Sequence, residues 1–282
     1  MGGGLGHVHR ARAVLAALAP ATPRAIFTAS RLASGDDLIH VPRRLAGSPP
    51  AFAEWLRAEL RSLAPSAIVV DAFPLGIIGE FADRRLFPDV PLYHVARLLR
   101  WNAYAGAFPG TPPRYTAAYA VEPLTPPHEA FLRAHCARFE GMNLPVGNED
   151  ALCGDPLAQW RSPDRPLWLL VHSGPKAEVR ALREFARRRA RAERVEPRFV
   201  LVSPSMKDAG TDMARLAQVP ACGLFPFADR VVTACGFNSM REAEPYGRRH
   251  LFMPFARRFD DQRLRAARRW RALRTGPYAQ SG

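Results

Sequence analysis

The 282-residue sequence has almost no lysine. Only Lys176 and Lys207 occur, and the other 38 basic residues are arginine. Basic residues outnumber acidic ones by 40 to 26, which gives a formal net charge of +14 and an isoelectric point near 10.8. Such a balance raises nucleic acid as a partner class. Two features argue against it. The arginine bias, with abundant alanine and 27 prolines, matches the residue usage of a high-GC genome, which spreads charge over solvated faces. The basic stretches also lack the interleaved aromatics on which single strands stack. Nucleic acid is therefore not expected as a partner.

Cysteine is scarce too. Cys136, Cys153, Cys222 and Cys235 form no C-x-x-C pair, which excludes the common zinc and thioredoxin-type motifs. They read as free thiols in a reducing compartment. No apolar run reaches the 18 or so residues of a membrane span. The best candidate, residues 67–79, is interrupted by Asp71 and Pro74. No basic stretch followed by an apolar one opens the chain, so no secretory signal is read. The expected location is cytoplasmic, with peripheral contact to an anionic membrane left open. What the sequence does have is a 48% hydrophobic fraction, enough for two cores of about 100–150 residues each.

Signals of strand and helix alternate along the chain. Gly2, Gly3, Gly4 and Gly6 form a glycine loop leading into a helix over 10–18. Such a loop normally follows a β-strand, and no strand residues precede it here, so the first strand is read as missing. Short strands are expected at 24–29, 67–71 and 91–95, and a helix over 50–63 with Phe52, Trp55, Leu56, Leu60 and Leu63 near one face. Residues 100–165, rich in proline and aromatics, show no clear period. A second series follows: strands at 167–171, 199–202, 230–234 and 251–253, with helices over 176–194, from about 238 to 246, and over 260–274. The pattern predicts an α/β protein of two Rossmann-like domains with mostly parallel sheets. Expected limits are 1–155 and 156–259, with residues 260–282 as a C-terminal helix crossing back to the first domain.

Two segments carry the chemistry. One is Gly3-Gly4-Leu5-Gly6-His7-Val8-His9-Arg10. The other runs from Ala228 through Cys235-Gly236-Phe237-Asn238-Ser239-Met240-Arg241-Glu242 and Gly247 to Pro254-Phe255, then Phe259-Asp260-Asp261-Gln262. Together with Asp71-Ala72-Phe73-Pro74-Leu75-Gly76 they resemble the GT-B nucleotide-sugar glycosyltransferases. The closest likeness is to the branch of the N-acetylglucosaminyltransferase that completes the lipid-linked peptidoglycan precursor, with its uncharacterised bacterial relatives. The motifs cover roughly 50 residues, in an order and spacing that span the chain.

The resemblance implies an enzyme that transfers a sugar from a nucleotide diphosphate donor to an acceptor hydroxyl with inversion, independently of metal. No Asp-x-Asp motif is present, and no cofactor is expected, the nucleotide-sugar being a substrate. Gly236 is read as permitting a tight turn at a strand end, and Asn238 or Ser239 as capping the next helix or meeting a diphosphate. By resemblance Glu242 binds the donor ribose, Gln262 approaches the donor sugar, and Ser173 and Gly174 lie on the phosphate side. On the acceptor side the resemblance places Gly6 and His7, with His7 as base or polar organiser. Helix capping is the alternative for His7. Asp71, at a strand end, suits an acceptor hydroxyl or a helix cap. His9 reads as a helix-start residue, and His172 as either inward-pointing or structural. His94 and Arg97 follow a strand, but Leu98 stands where relatives carry an acid, so no role is carried over. Pro245 predicts a kink just after Glu242. The shortened chain keeps two further readings open: a non-catalytic GT-B-like binding protein, and a nucleotide-sugar 2-epimerase.

Overall fold

The computed structural model describes residues 5–19, 21–45, 47–82, 86–144, 154–204, 213–217 and 220–275. Gly2, Gly3, Gly4 and Cys153 lie outside them. The chain divides into two compact units: Met1–Pro145 with Arg258–Asp261, and Val146–Arg257 with Gln262–Gly282. The return to the first unit is thus four residues long, and the C-terminal helix belongs to the second.

Unit 1 holds, in order, α1 (Gly6–Leu18), β1 (Ile26–Thr28), β2 (Leu38–His40), α2 (Pro49–Leu63), β3 (Ile68–Asp71), β4 (Leu92–Ala96), α3 (Trp101–Ala107), β5 (Ala117–Ala120), α4 (Pro126–His135) and β6 (Phe139–Gly141). Every pairing is parallel, but the strands fall into two sheets, β1-β2 and β3-β4-β5-β6. Helix α2 starts where it does because the Ser48 side chain accepts from Ala51 N and Pro49 sits in the first turn. Its Phe52, Ala53, Leu56 and Leu60 are buried on one face. The segment 100–140, silent in period, is ordered by aromatic packing: Trp101 stacks on His128 at 4.3 Å and Tyr104 packs on Phe73, Phe108 and Phe259. Phe259 and Asp260 join unit 1 through Arg100 N donating to Phe259 O and a bridge between Leu99 and Asp260.

Unit 2 holds β7 (Leu167–Val171), α5 (Lys176–Glu193), β8 (Arg198–Val202), β9 (Ala214–Leu216), β10 (Arg230–Ala234), α6 (Phe237–Glu242), β11 (His250–Met253) and α7 (Gln262–Thr275). Its five strands form one parallel sheet in the order β11-β10-β7-β8-β9. The central strands are nearly continuous apolar runs because both faces are covered. Helix α5 buries Val179, Leu182, Ala186 and Ala190 on the sheet and turns its arginines outward. The expected kink is present: α6 ends at Glu242, and a 3-10 turn over Glu244–Arg249 follows.

Among the described residues, no helix is long and apolar enough to cross a membrane. The core of unit 2 yields a direct test. Leu169 is fully buried among Leu157, Val200 and Val231, so Leu169→Ala should cost about 3 kcal/mol. Leu32→Ala, at a 42% exposed site, should change stability by less than about 0.5 kcal/mol. Equilibrium urea unfolding measures both.

Candidate functional site

In unit 1 the site grows from the first turn of α1. His7 and Arg10 stand three residues apart, so they share a helix face. Both reach Asp71, the last residue of β3. Arg10 Nε donates to Asp71 Oδ1 at 2.7 Å and Nη2 to Oδ2 at 2.6 Å, a two-pronged pair. His7 Nδ1 lies 3.2 Å from Asp71 Oδ2 and 3.0 Å from Arg10 Nη2. A guanidinium only donates and a carboxylate only accepts, so these two contacts require opposite tautomers of His7. Burial by itself would raise the Asp71 carboxyl. The Arg10 charge and the bonds from His7 and Arg10 overcome it and hold Asp71 ionised, well below the usual carboxylate range. Burial lowers the His7 imidazole from 6.5, with the Asp71 bond working against it, so His7 is neutral at pH 7. Asp71 therefore serves neither as a helix cap nor as a lone carboxylate. Gly6 is exposed at the first position of α1.

The loop after Asp71 is fixed by polar bolts that the sequence did not announce. Phe73 N donates to Asp71 O across Ala72, whose φ of 67° lies in the left-handed region, a strained three-residue turn next to the site carboxylate. Tyr104 Oη donates to Gly76 O at 2.8 Å and accepts from Leu75 N at 2.9 Å. Tyr115 Oη donates to Pro74 O at 2.7 Å. Buried Glu80 accepts from Ile77 N and Ile78 N. His94 is fully buried against Tyr115, and burial lowers it to about 4, so it is a core residue. Arg97 is buried and donates to Asp260 Oδ1 at 2.5 Å. It finds its acid 163 residues away instead of at the next position, which Leu98 fills.

In unit 2 the sheet order sets the site. From β7 the chain moves outward to β8 and β9, and β10 then returns to the other side of β7. The reversal lies between β7 and β10, so the loop after β7, with Ser173-Gly174, and the start of α6 after β10, with Gly236–Ser239, are neighbours at the carboxyl edge. In open α/β sheets such a point forms the ligand crevice.

The side chains there are well ordered. His172 Nε2 is 2.8 Å from Glu178 Oε2, and its ring stacks on Phe255. Burial lowers His172 despite Glu178. Glu178 also accepts both prongs of Arg257, at 2.5 and 2.6 Å. A Cβ on Gly174 would lie 2.3 Å from His172 Nε2 and 2.8 Å from Glu178 Oε2, so only glycine lets this bond pass beneath the loop. Ser173 is exposed and Glu242 half-buried at the end of α6.

Two readings are corrected. Gly236 has φ −66°, a conformation open to any residue, so it does not serve as a tight turn; a Cβ there would meet nothing within 4 Å. Asn238 and Ser239 do not cap α6, because Gly236 is itself the N-cap and no side-chain cap bond forms. Gln262, the first residue of α7, is 4% exposed and its Oε1 accepts from Phe255 N at 3.0 Å. Missed altogether were Arg10, Glu178, Arg257 and Arg265, whose Nη1 donates to Cys235 O at 2.7 Å and steadies the β10 exit. The partners of these arginines lie up to 79 residues away, with no spacing to betray them. Among the described residues, no group of three or more His, Cys, Asp or Glu is placed to hold a metal ion.

Two tests follow. Asp71→Asn leaves Arg10 without its charge partner, at a cost of about 3 kcal/mol at pH 7. Because folding depresses the Asp71 pKa, its contribution is complete above about pH 4 and is lost as the pH falls further. The wild-type advantage in urea unfolding should therefore shrink between pH 7 and pH 3; an equal gap at both would sink the assignment. Gly174→Ala should destabilise by about 1–3 kcal/mol through displacement of His172, whereas Gly236→Ala should stay within about 0.5 kcal/mol, as read by thermal unfolding.

No protein-family model matches the sequence, and no curated protein matches it significantly. Solved structures do. The spinosyn rhamnosyltransferase SpnG complexed with thymidine diphosphate aligns at 17% identity over 83% of this chain and 66% of its own, with a TM-score of 0.50. The glycosyltransferase of kitacinnamycin aligns at 15% identity over 86% and 79%, with a TM-score of 0.52. The S. aureus MnaA–UDP structure aligns at 11% identity over 76% and 64%, with a TM-score of 0.48. The chain thus spans just under two thirds of the length of MnaA and of SpnG. The fold is that of the GT-B glycosyltransferases.

Proposed function

We propose that the protein is an inverting, metal-independent glycosyltransferase that moves a sugar from a nucleotide diphosphate donor to an acceptor hydroxyl. The observation that carries this reading is the strand reversal between β7 and β10. It makes the segments that follow β7 and β10, which carry Ser173, Gly174, Gly236, Asn238 and Ser239, neighbours at the carboxyl edge of a parallel sheet, the edge at which open α/β sheets bind ligands. Donor phosphates meet the main-chain N–H groups of the two exit loops, and the open space above Gly236 admits them. Glu242 takes the ribose hydroxyls. Gln262, its oxygen committed to Phe255 N, offers its amide NH2 to the donor sugar.

His7 is the base. The Nδ1–H tautomer, donating to Asp71, leaves Nε2 as acceptor for the proton of the acceptor hydroxyl. The oxygen then attacks the anomeric carbon, the bond from that carbon to the diphosphate oxygen breaks, and the diphosphate leaves with the electron pair. Arg10 keeps Asp71 ionised, and so keeps the orienting bond available. The acceptor's identity is not specified by these groups.

Isothermal titration against UDP-, GDP- and dTDP-sugars should give binding to at least one, weakened about tenfold or more in Glu242→Ala. No heat with any of them, from folded protein, overturns the reading. With a binding donor and an acceptor, kcat/KM should fall on the acid side with an apparent pKa below 6.5, since burial favours neutral His7. His7→Gln should remove that limb. Donor binding without turnover would mark a non-catalytic binding protein, and a changed sugar in the absence of acceptor would mark an epimerase.

A further inference from the structure

Beneath the Ser173-Gly174 loop lies a histidine that the proposed reaction does not use. His172 is 9% exposed. Its main-chain N–H donates to Val202 O, which fixes it at the end of β7. Its ring is gripped from several sides. Nε2 is 2.8 Å from Glu178 Oε2, and the ring stacks on Phe255 with centroids 5.3 Å apart. A Cβ on Gly174 would lie 2.9 Å from His172 Cε1 and closer still to Nε2. Cε1 stands between the two ring nitrogens, so both lie close to Gly174. The main chain of the loop is all that separates the imidazole from a ligand seated on it.

Two charged groups act on the ring. Glu178, in the first turn of α5, supports an imidazolium. Arg257, from the segment after β11, opposes it and is itself held by both Glu178 oxygens, at 2.5 and 2.6 Å. The other neighbours, Phe255 and Val202 O, carry no charge. The carboxylate and the guanidinium cancel, so the protonation of His172 sets the net charge of the cluster. Burial disfavours the proton and lowers His172 from its ordinary 6.5. The cluster is thus neutral at rest and one proton short of being a cation. An anion placed against it offsets the cost of burying the imidazolium.

We propose that His172 is the charge partner of the donor diphosphate: it takes one proton from solvent as the diphosphate settles on the Ser173-Gly174 loop, and holds it as an imidazolium on Glu178 while the diphosphate stays. Resting on the donor reading above, this makes donor binding proton-linked. It also bears on the chemistry. When the bond from the anomeric carbon to the diphosphate oxygen breaks, the leaving diphosphate gains one further negative charge. A cation already in place under the loop meets that charge as it develops. The proton remains on His172 and returns to solvent when the diphosphate departs. A group whose pKa is higher in the complex than in the free protein tightens binding as the pH falls through the interval between the two values, and not outside it.

The test is calorimetric titration with UDP-, GDP- and dTDP-sugars in buffers of different ionisation enthalpy. A nucleotide sugar is esterified at both ends of its diphosphate and so lacks the monoester ionisation at about pH 6. Protons taken up on binding therefore go to the protein. The wild type should take up protons below about pH 7 and bind about threefold or more tighter at pH 5.5 than at pH 7.5. His172→Gln, which keeps an N–H donor for Glu178, should bind without that uptake and lose that pH dependence, whereas His7→Gln should retain both. Arg257→Gln removes the charge that opposes the imidazolium, so its uptake should move to higher pH. That variant decides the matter if His172→Gln fails to fold. Binding without uptake in the wild type, uptake retained in His172→Gln, or a pH profile unmoved by Arg257→Gln overturns the proposal and leaves the donor reading intact. Failure of every nucleotide sugar to bind removes the donor reading itself, and the proton linkage with it.

Discussion

The ion pair between Arg10 and Asp71 is the interaction on which the first unit depends. Arg10 is 4% exposed, so its charge has little solvent to fall back on. The carboxylate at the end of β3 compensates it through both oxygens. Such a pair adds little net stability over apolar packing, but breaking it on one side is costly, because a buried charge is left behind. The pair therefore acts mainly on geometry. It docks the first turn of α1 to the β3 terminus across a space that no backbone ladder bridges among the described residues. In doing so it sets the position of His7 and the ionisation of the group beside it. The strained turn at Ala72 persists because the loop beyond it is held by Tyr104, Tyr115 and Glu80.

The second unit solves the same problem by another route. Its five strands form one uninterrupted sheet, so the switch point between β7 and β10 follows from strand order. Polar side chains then fix the loops at the carboxyl edge from within. Glu178 holds His172 and Arg257 together, Gln262 holds Phe255 N, and Arg265 holds Cys235 O. Each satisfies a group that burial would otherwise penalise. The result is an edge whose exit loops are held in place, the condition for binding a ligand without first ordering the loops.

How much of this was legible follows from range. Strands such as Leu167–Val171 and Arg230–Ala234 show in sequence because two-sided burial demands an unbroken apolar run. The end of α6 at Glu242 shows because Pro245 removes a helical hydrogen bond. β2 and β9, three residues each and half-buried, leave no such trace. α3 and α4 were hidden because aromatic stacking between distant residues, Trp101 on His128, orders them in place of a periodic stripe. The glycines illustrate the limit well. Gly236 and Gly174 look alike in sequence, yet Gly174 is required by the crossing of a bond from Glu178 four residues on, and Gly236 by nothing in the chain itself. A glycine that the fold does not need is free to serve a ligand. That distinction needs coordinates.

Arginine bias is where the two levels of reading part most. Composition treats the 38 arginines as one population, and for the outward face of α5 that holds. Arg180, Arg188 and Arg191 are exposed, and any cation would serve there. Arg10, Arg97 and Arg265 are a different population. Each is buried, and each donates from its guanidinium to an oxygen: a carboxylate in two cases, with both prongs for Arg10, and a backbone carbonyl in the third. A lysine ammonium offers no second prong to Asp71, and its tighter hydration makes burial costlier. A genome that supplies arginine almost exclusively thus supplies the cation best suited to internal polar links. Drift in composition and structural use are compatible: the first sets how many arginines there are, and burial selects which of them the fold requires.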